Sequence, residues 1–193
     1  SVLLAKPRAS SNRIRRKHVP LAEAMDVLGR EYGPVEWVPR YSPASELVST
    51  ILSQHTSDVN SHRAFDSLMD HFGSLDAVAD GRLEEIEESI RMGGLAKVKA
   101  PRIKEVLQKV RALVGSYDLS FLAEMPLPDA KAWLKELPGI GPKTAAIILC
   151  FSLGLPAMPV DTHIYRVSKR LGLIGTKVSA DAAHDILEPM VSP

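Results

Sequence analysis

Leu137-Pro138-Gly139-Ile140-Gly141-Pro142-Lys143-Thr144-Ala145-Ala146 is the stretch on which the fold turns. Two glycines one residue apart predict a tight turn, because glycine enters positive φ at little steric cost. Pro142 stands where a helix would begin, a position that needs no N–H and suits a fixed φ. Residues 144–153 are apolar nearly all round, which predicts a buried helix. Upstream, Pro128 opens a helix over 129–136 that runs into the turn. Together these pieces read as helix, hairpin and helix over 129–153. Backbone N–H groups around Gly139 and Gly141 suit a DNA phosphate, and Ile140 is expected to pack inward and fix the turn. A plain turn between two helices would use glycine for the same steric reason.

The one charged side chain of the second helix is Lys143, in its first turn. The helix macrodipole disfavours a cation there, so an amine in that place reads as a phosphate contact or as a neutral nucleophile. Further on, Met158-Pro159-Val160-Asp161-Thr162-His163 sets a carboxylate at the start of another helix. Alone, Asp161 reads as an N-cap. Beside Lys143 it also reads as the acid partner of an amine.

The rest of the chain is helical in pattern. Apolar residues at 21, 24, 25 and 28 predict an inward helix face, ended by Gly33-Pro34. A connector over 35–43 leads to Ser42 or Pro43, which opens a central helix with its apolar run at 47–52. A polar island at 53–58 separates it from a helix capped by Thr56 or Ser57, reaching Phe72 and stopped by Gly73. Ser74 caps a short helix. Residues 82–91 carry Glu84, Glu85, Glu87 and Glu88, a solvated face expected to point away from any DNA. A helix through Val114 follows, with Pro101 expected in its first turns, and helices near 163–171 and 179–190 close the chain. No strand pattern or repeat intervenes. About ten helices predict an all-α fold in two lobes, a central one over 44–153 and a second from 20–43 with 154–193.

Across 193 residues, 45% hydrophobic and 24% charged, the composition is that of a globular protein with room for a core. No apolar run approaches the roughly 20 residues of a bilayer-spanning helix, so no membrane partner is expected. Cys150 is the only cysteine, which excludes an internal disulfide and predicts a reduced, packed thiol. The net charge of +1 hides an asymmetry: six bases and no acid lie in residues 1–17, and the remainder sums to −5. Residues 1–19 read as a basic arm without fixed structure, either touching nucleic acid or simply a mobile terminus.

Four segments, Leu137 to Ala145, Val160-Asp161-Thr162-His163-Ile164-Tyr165-Arg166-Val167, Leu52-Ser53-Gln54-His55-Thr56-Ser57-Asp58 and Gly94-Leu95-Ala96-Lys97-Val98-Lys99-Ala100, together resemble the endonuclease III family of DNA glycosylases. That family belongs to the helix-hairpin-helix, Gly/Pro-rich-loop, aspartate superfamily, and the resemblance covers everything after the basic arm. It implies a two-lobed helix-hairpin-helix DNA glycosylase fold with the active site in the cleft between lobes. It also implies Lys143 as nucleophile and Asp161 as essential carboxylate. Gln54 corresponds to the residue that fills the space of a flipped nucleotide, and Leu95 to a wedge in the base stack. Gly139, Ile140, Gly141, Thr144, His55 and Lys97 join them as expected DNA contacts.

Members with this lysine remove oxidised pyrimidines such as thymine glycol, then cut the strand at the abasic site by β-elimination. The implied partner is double-stranded DNA with a damaged base or abasic site, bound by a monomer wherever the genome lies. That means the cytoplasm or nucleoid of a bacterium, or the nucleus or mitochondrion of a eukaryote. Two alternatives stand beside this: a same-fold glycosylase for a mismatched or alkylated base, and a non-catalytic helix-hairpin-helix DNA-binding module.

The sequence departs from the family at three points. His55 stands where a small residue is frequent and Pro142 where arginine is common. The family's four C-terminal cysteines, which ligate a [4Fe-4S] cluster, are missing, so no metal site or cofactor is expected in this chain. Such a cluster is expected only if the native chain continues past Pro193. The end is read as truncated, because the last helix would otherwise lack packing partners.

Overall fold

Serine side chains start four of the helices. Ser42, Ser57, Ser74 and Ser179 have extended backbone and accept the N–H groups of Ser45, Asn60, Ala77 and Ala182. Each satisfies a donor that the first helical turn would leave unpaired. The computed structural model describes residues 19–191. The basic arm expected over 1–19 lies outside that range apart from Val19, whose N–H donates to the Leu171 carbonyl at 3.2 Å.

The helices are α1 (Leu21–Tyr32), α2 (Pro43–Ser53), α3 (Asp58–Phe72), α4 (Leu75–Asp80), α5 (Leu83–Ser89), α6 (Ala96–Val114), α7 (Leu127–Lys135), α8 (Pro142–Ile147), α9 (Thr162–Leu171) and α10 (Ala180–Leu187). A π-helical turn over Ile148–Ser152 prolongs α8, and 3-10 turns occur at Arg91–Gly93, Ser120–Glu124 and Glu188–Met190. Among the described residues there is no strand, so the fold is all-α.

Helix α2 is the axis of the larger core. Ala44, Leu47, Val48 and Leu52 are wholly buried, packed with Leu68 of α3, Ile103 and Leu107 of α6, Leu134 of α7, and Ile148 and Leu149 beyond α8. A fully buried aliphatic side chain contributes about 1.5–3 kcal/mol by transfer from water, so this cluster carries most of the stability. A smaller cluster of Val160, Leu173, Ile174, Ala183 and Leu187 takes Leu21 of α1 against it, bringing the two ends of the described chain together. Lys131 of α7 pairs with both oxygens of Glu188 at 2.5 Å, and the Met158 N–H donates to Glu188 Oε2 at 3.0 Å. That largely buried ion pair ties the two clusters to each other.

Several expectations shift. In α1 only Leu21 and Ala24 are partly covered, while Met25 and Leu28 are 54% and 48% exposed, because the small cluster offers no second layer along the helix. Pro101 lies in the second turn of α6, where its ring meets the level of the Lys97 carbonyl and no N–H is available for it. Helix α10 does have partners within the chain: Ala183, His184 and Leu187 are buried, and it packs on α8 and α9.

Candidate active site

The hairpin is built from its own carbonyls. Helix α7 closes with the Leu137 N–H on the Leu134 carbonyl at 3.1 Å, and the Ile140 N–H follows onto the Leu137 carbonyl at 3.2 Å. Gly139 between them has φ +75°, and a Cβ there would meet nothing within 4 Å, so the conformation and not the space demands glycine. Gly141 is different. Its φ of −97° is open to any residue, so one glycine makes the turn where the sequence predicts two. Ile140 is 7% exposed and anchors the loop in the core as expected.

The second hairpin helix is not buried all round. Ala145, Ala146, Ile148 and Leu149 face the core, while Thr144, Ile147 and Phe151 form a partly open stripe at helical spacing. The π turn carries the stripe's end outward, and Trp37 Nε1 donates to the Phe151 carbonyl at 3.2 Å. The exposed Lys143, with Thr144 and Ile147, lines a cleft of about 320 Å³ whose opposite wall is Thr50, Ser53, Gln54 and His55 at the end of α2. Lys143, Thr144, Gln54 and His55 are thus brought to one place from segments far apart in sequence.

Lys99 holds that wall. Its side chain is 1% exposed, and Nζ donates to the Leu52 carbonyl at 2.7 Å and the Gly93 carbonyl at 2.8 Å. Burial pushes its ammonium below the ordinary lysine value. The clamp fastens the end of α2 to the turn that presents Leu95. Gln54 Oε1 accepts from Arg102 Nη1 at 3.2 Å, while His55 and Leu95 are the two non-glycine residues with positive φ among the described residues, at +54° and +53°. Non-glycine residues there cost roughly 1 kcal/mol or more, and both of these side chains are exposed. Within its own run of sequence Lys99 gives no sign of this task, because Leu52 lies 47 residues away.

Leu95 is 51% exposed and, with Lys97, lines a shallow depression bordered by Glu84, Glu87, Glu88 and Arg91. The acidic face therefore adjoins the expected DNA contacts and does not point away from them. The 3-10 turn at Arg91–Gly93 folds α5 back beside the start of α6. Arg91 pairs with Glu88, and Arg82 lies 3.8 Å from Glu84, which offsets part of the charge.

Asp161 is the N-cap of α9. One oxygen accepts the Ile164 N–H at 2.7 Å, which fixes the side chain, and no ion pair joins it to Lys143 among the described residues. It stands outside the lining of the 320 Å³ cleft.

A second cavity of about 350 Å³ adjoins the cleft through the shared residues Thr50, Ser53 and Ile147. Its wall includes Glu46, 1% exposed, whose Oε1 accepts from Arg40 Nη2 at 2.6 Å. Sequence pattern alone does not single out this cavity. The available signal was a carboxylate in the apolar first turns of the central helix.

Cys150 is part-buried in the π turn, and burial pushes its thiol up, away from the thiolate that ligates metals. One cysteine cannot supply the four thiolates of a [4Fe-4S] cluster, and among the described residues no three His, Cys, Asp or Glu side chains are grouped to hold a metal ion.

The chain matches the HhH-GPD superfamily of base excision DNA repair proteins over residues 48–193 and belongs to it. It is similar to endonuclease III of Thermotoga maritima, 36% identical over 70% of this chain and 59% of that protein. Endonuclease III of Sulfolobus acidocaldarius is 33% identical over 67% of this chain and 56% of its own length. Among solved structures, a non-covalent endonuclease III-DNA complex aligns with a TM-score of 0.73 at 25% identity, covering 89% of this chain and 77% of that one. A trapped endonuclease III-DNA covalent intermediate aligns with a TM-score of 0.71 at 26% identity over the same shares. The chain thus spans less than two thirds of the length of either of these two endonuclease III relatives.

Proposed function

We propose that this chain is a bifunctional DNA glycosylase and abasic-site lyase that acts on oxidised pyrimidines in duplex DNA. One observation carries the reading: Lys143 is exposed in the first turn after the hairpin and opens onto a cleft walled by Gln54 and His55. Reaching a glycosidic bond requires the nucleotide to leave the stack, at a cost of a few kcal/mol that damage lessens. Leu95 enters the gap as a wedge, and Gln54 or His55 fills the space left behind. The free N–H groups at the start of α8 hold a phosphate of the same strand.

The Lys143 amine attacks C1′, the C1′–N bond breaks, and the base departs with that electron pair and takes up a proton. Asp161, ionised, stabilises positive charge developing on the sugar and accepts a proton from the amine. The C1′–O4′ bond then breaks as O4′ takes up a proton, and the Schiff base so formed draws electrons as C2′ loses a proton and the C3′–O bond breaks, releasing the 3′ phosphate.

The test uses a thymine-glycol duplex and an abasic duplex, with borohydride added to trap the Schiff base. The wild-type protein forms a covalent adduct and the β-elimination product on both, and Lys143→Ala forms neither. Trapping that persists in Lys143→Ala removes the assignment. Base release without strand cleavage favours a same-fold glycosylase for another lesion, and binding alone favours a non-catalytic module.

A further inference from the structure

The geometry points to a specificity role for Glu46: its free carboxylate oxygen accepts an N–H from the edge of the extruded base, so the preferred bases present a ring or amino N–H next to an acceptor. The inference rests on the glycosylase reading and extends it from the sugar to the base.

Glu46 is 1% exposed and its two oxygens differ. Oε1 accepts from Arg40 Nη2 at 2.6 Å, whereas Oε2 is buried with no hydrogen-bond partner. A buried charged acceptor left unpaired is costly, and it discriminates strongly once paired, because no solvent competes. Three hydroxyls of the wall have already committed their protons, and Asp58, the other carboxylate of the lining, is solvent-exposed. Thr50 Oγ1 donates to the Glu46 carbonyl at 2.7 Å, Ser53 Oγ to the Thr50 carbonyl at 2.8 Å, and Ser61 Oγ to the Asp58 carbonyl at 3.0 Å. Arg40 Nη1 lies 3.3 Å from His62 Nε2, and because a guanidinium only donates, that ring nitrogen accepts.

At its buried side the cavity therefore offers a ligand the unpaired Glu46 acceptor beside a guanidinium with N–H groups to spare, with the Ser49 hydroxyl also in the lining. The complementary edge carries a donor next to an acceptor. The lactam edge of a thymine-type base and the amino edge of a cytosine-type base both satisfy it, and oxidation at C5 and C6 leaves N3 and the C4 substituent in place. The cavity shares Thr50, Ser53 and Ile147 with the cleft onto which Lys143 opens, so a base seated in it keeps its sugar beside the amine.

Glu46→Gln tests the idea. Arg40 claims the amide oxygen, so the amide NH2 takes the place of Oε2 and a donor replaces the acceptor. The readout is single-turnover release of thymine glycol divided by cleavage of a preformed abasic site by the same protein. That ratio falls roughly ten- to a hundredfold in Glu46→Gln, the discrimination one good base-edge contact supplies. N3-methylated thymine glycol, which lacks the donor, costs the wild-type protein a similar factor and costs Glu46→Gln little more. A duplex carrying 5-hydroxycytosine tests the amino edge: its release also falls in Glu46→Gln, and an unchanged release overturns the inference for that edge. An unchanged ratio, or a methylated lesion released by the wild-type protein at the full rate, overturns the inference while the lysine chemistry stands. Should Glu46→Gln fail to fold, the methylated lesion decides with wild-type protein alone. Wild-type protein that cuts neither duplex overturns the glycosylase reading first, and this inference with it.

Discussion

His184 Nε2 accepts the backbone N–H of Val160 at 3.0 Å, and Val160 is the residue before Asp161. The other ring nitrogen lies 3.1 Å from the Ala180 carbonyl and 3.2 Å from the Asp181 carbonyl. Only a neutral ring with its proton on Nδ1 satisfies both sides. The imidazole of α10 thereby fixes the strand of backbone from which Asp161 caps α9.

His184→Ala removes that acceptor and leaves the buried Val160 N–H unpaired. The expected loss is about 1–3 kcal/mol of stability, read as a lower urea midpoint with an unchanged slope. A variant as stable as wild type would mean that Val160 finds water, and that the ring does not hold the aspartate.

Asp161→Asn separates the two duties of the aspartate. Asparagine caps a helix about as well as aspartate, so stability changes by no more than about 0.5 kcal/mol. The charge that would stabilise the opening sugar and take the proton is gone, and base release falls by about 10²-fold or more. Thermal denaturation and single-turnover release on the same preparation check both halves. Asp161→Ala loses the cap as well, at a further cost of about 1 kcal/mol.

The hairpin was legible because its rules are local. Pro142 at the helix start, the positive φ of Gly139 and the inward Ile140 follow from neighbours within a few residues, and so do the caps at Ser42, Ser57 and Ser74. What escaped depends on chain segments meeting. Lys99 reaches across 47 residues to Leu52, and Arg40 across 22 to His62, so neither partner is visible in the run that contains it. The π turn at Ile148–Ser152 was hidden for another reason: one added residue in a turn rotates the face, but leaves the apolar run unbroken. Periodicity alone therefore buried Thr144 and Phe151, which the backbone turns toward the clefts.

Lys99 yields a pH-dependent prediction. Its folded-state pKa is held below the ordinary 10.5 by burial, so between the two values the folded protein binds fewer protons than the unfolded chain. Stability contributed by this residue therefore rises with pH through that window and is flat below it. Lys99→Met lacks the rise. It also leaves the Leu52 and Gly93 carbonyls without their donor, for an expected loss on the order of 2–4 kcal/mol at neutral pH. Urea unfolding of both proteins across the alkaline range checks the sign; a wild-type curve parallel to that of Lys99→Met would show that the ammonium is not penalised by its site.

Two glycines with the same sign of φ differ in what surrounds them. Gly139 has φ +75° with open space where a Cβ would stand, whereas at Gly154, φ +63°, the Cβ would come within 3.2 Å of the Trp37 ring. That ring is fixed by its bond to the Phe151 carbonyl, so it has little freedom to retreat. Gly139→Ala carries only the conformational penalty of roughly 1 kcal/mol, while Gly154→Ala adds overpacking of about 1–3 kcal/mol. The unfolding midpoint of Gly154→Ala is expected to lie below that of Gly139→Ala, and its Trp fluorescence to shift as Trp37 loosens. The order is expected to reverse for DNA: Gly139→Ala distorts the turn proposed to hold a phosphate and weakens duplex binding more than Gly154→Ala does. Equal effects of the two variants on stability would mean that Trp37 yields freely, and that the connector does not brace the second hairpin helix.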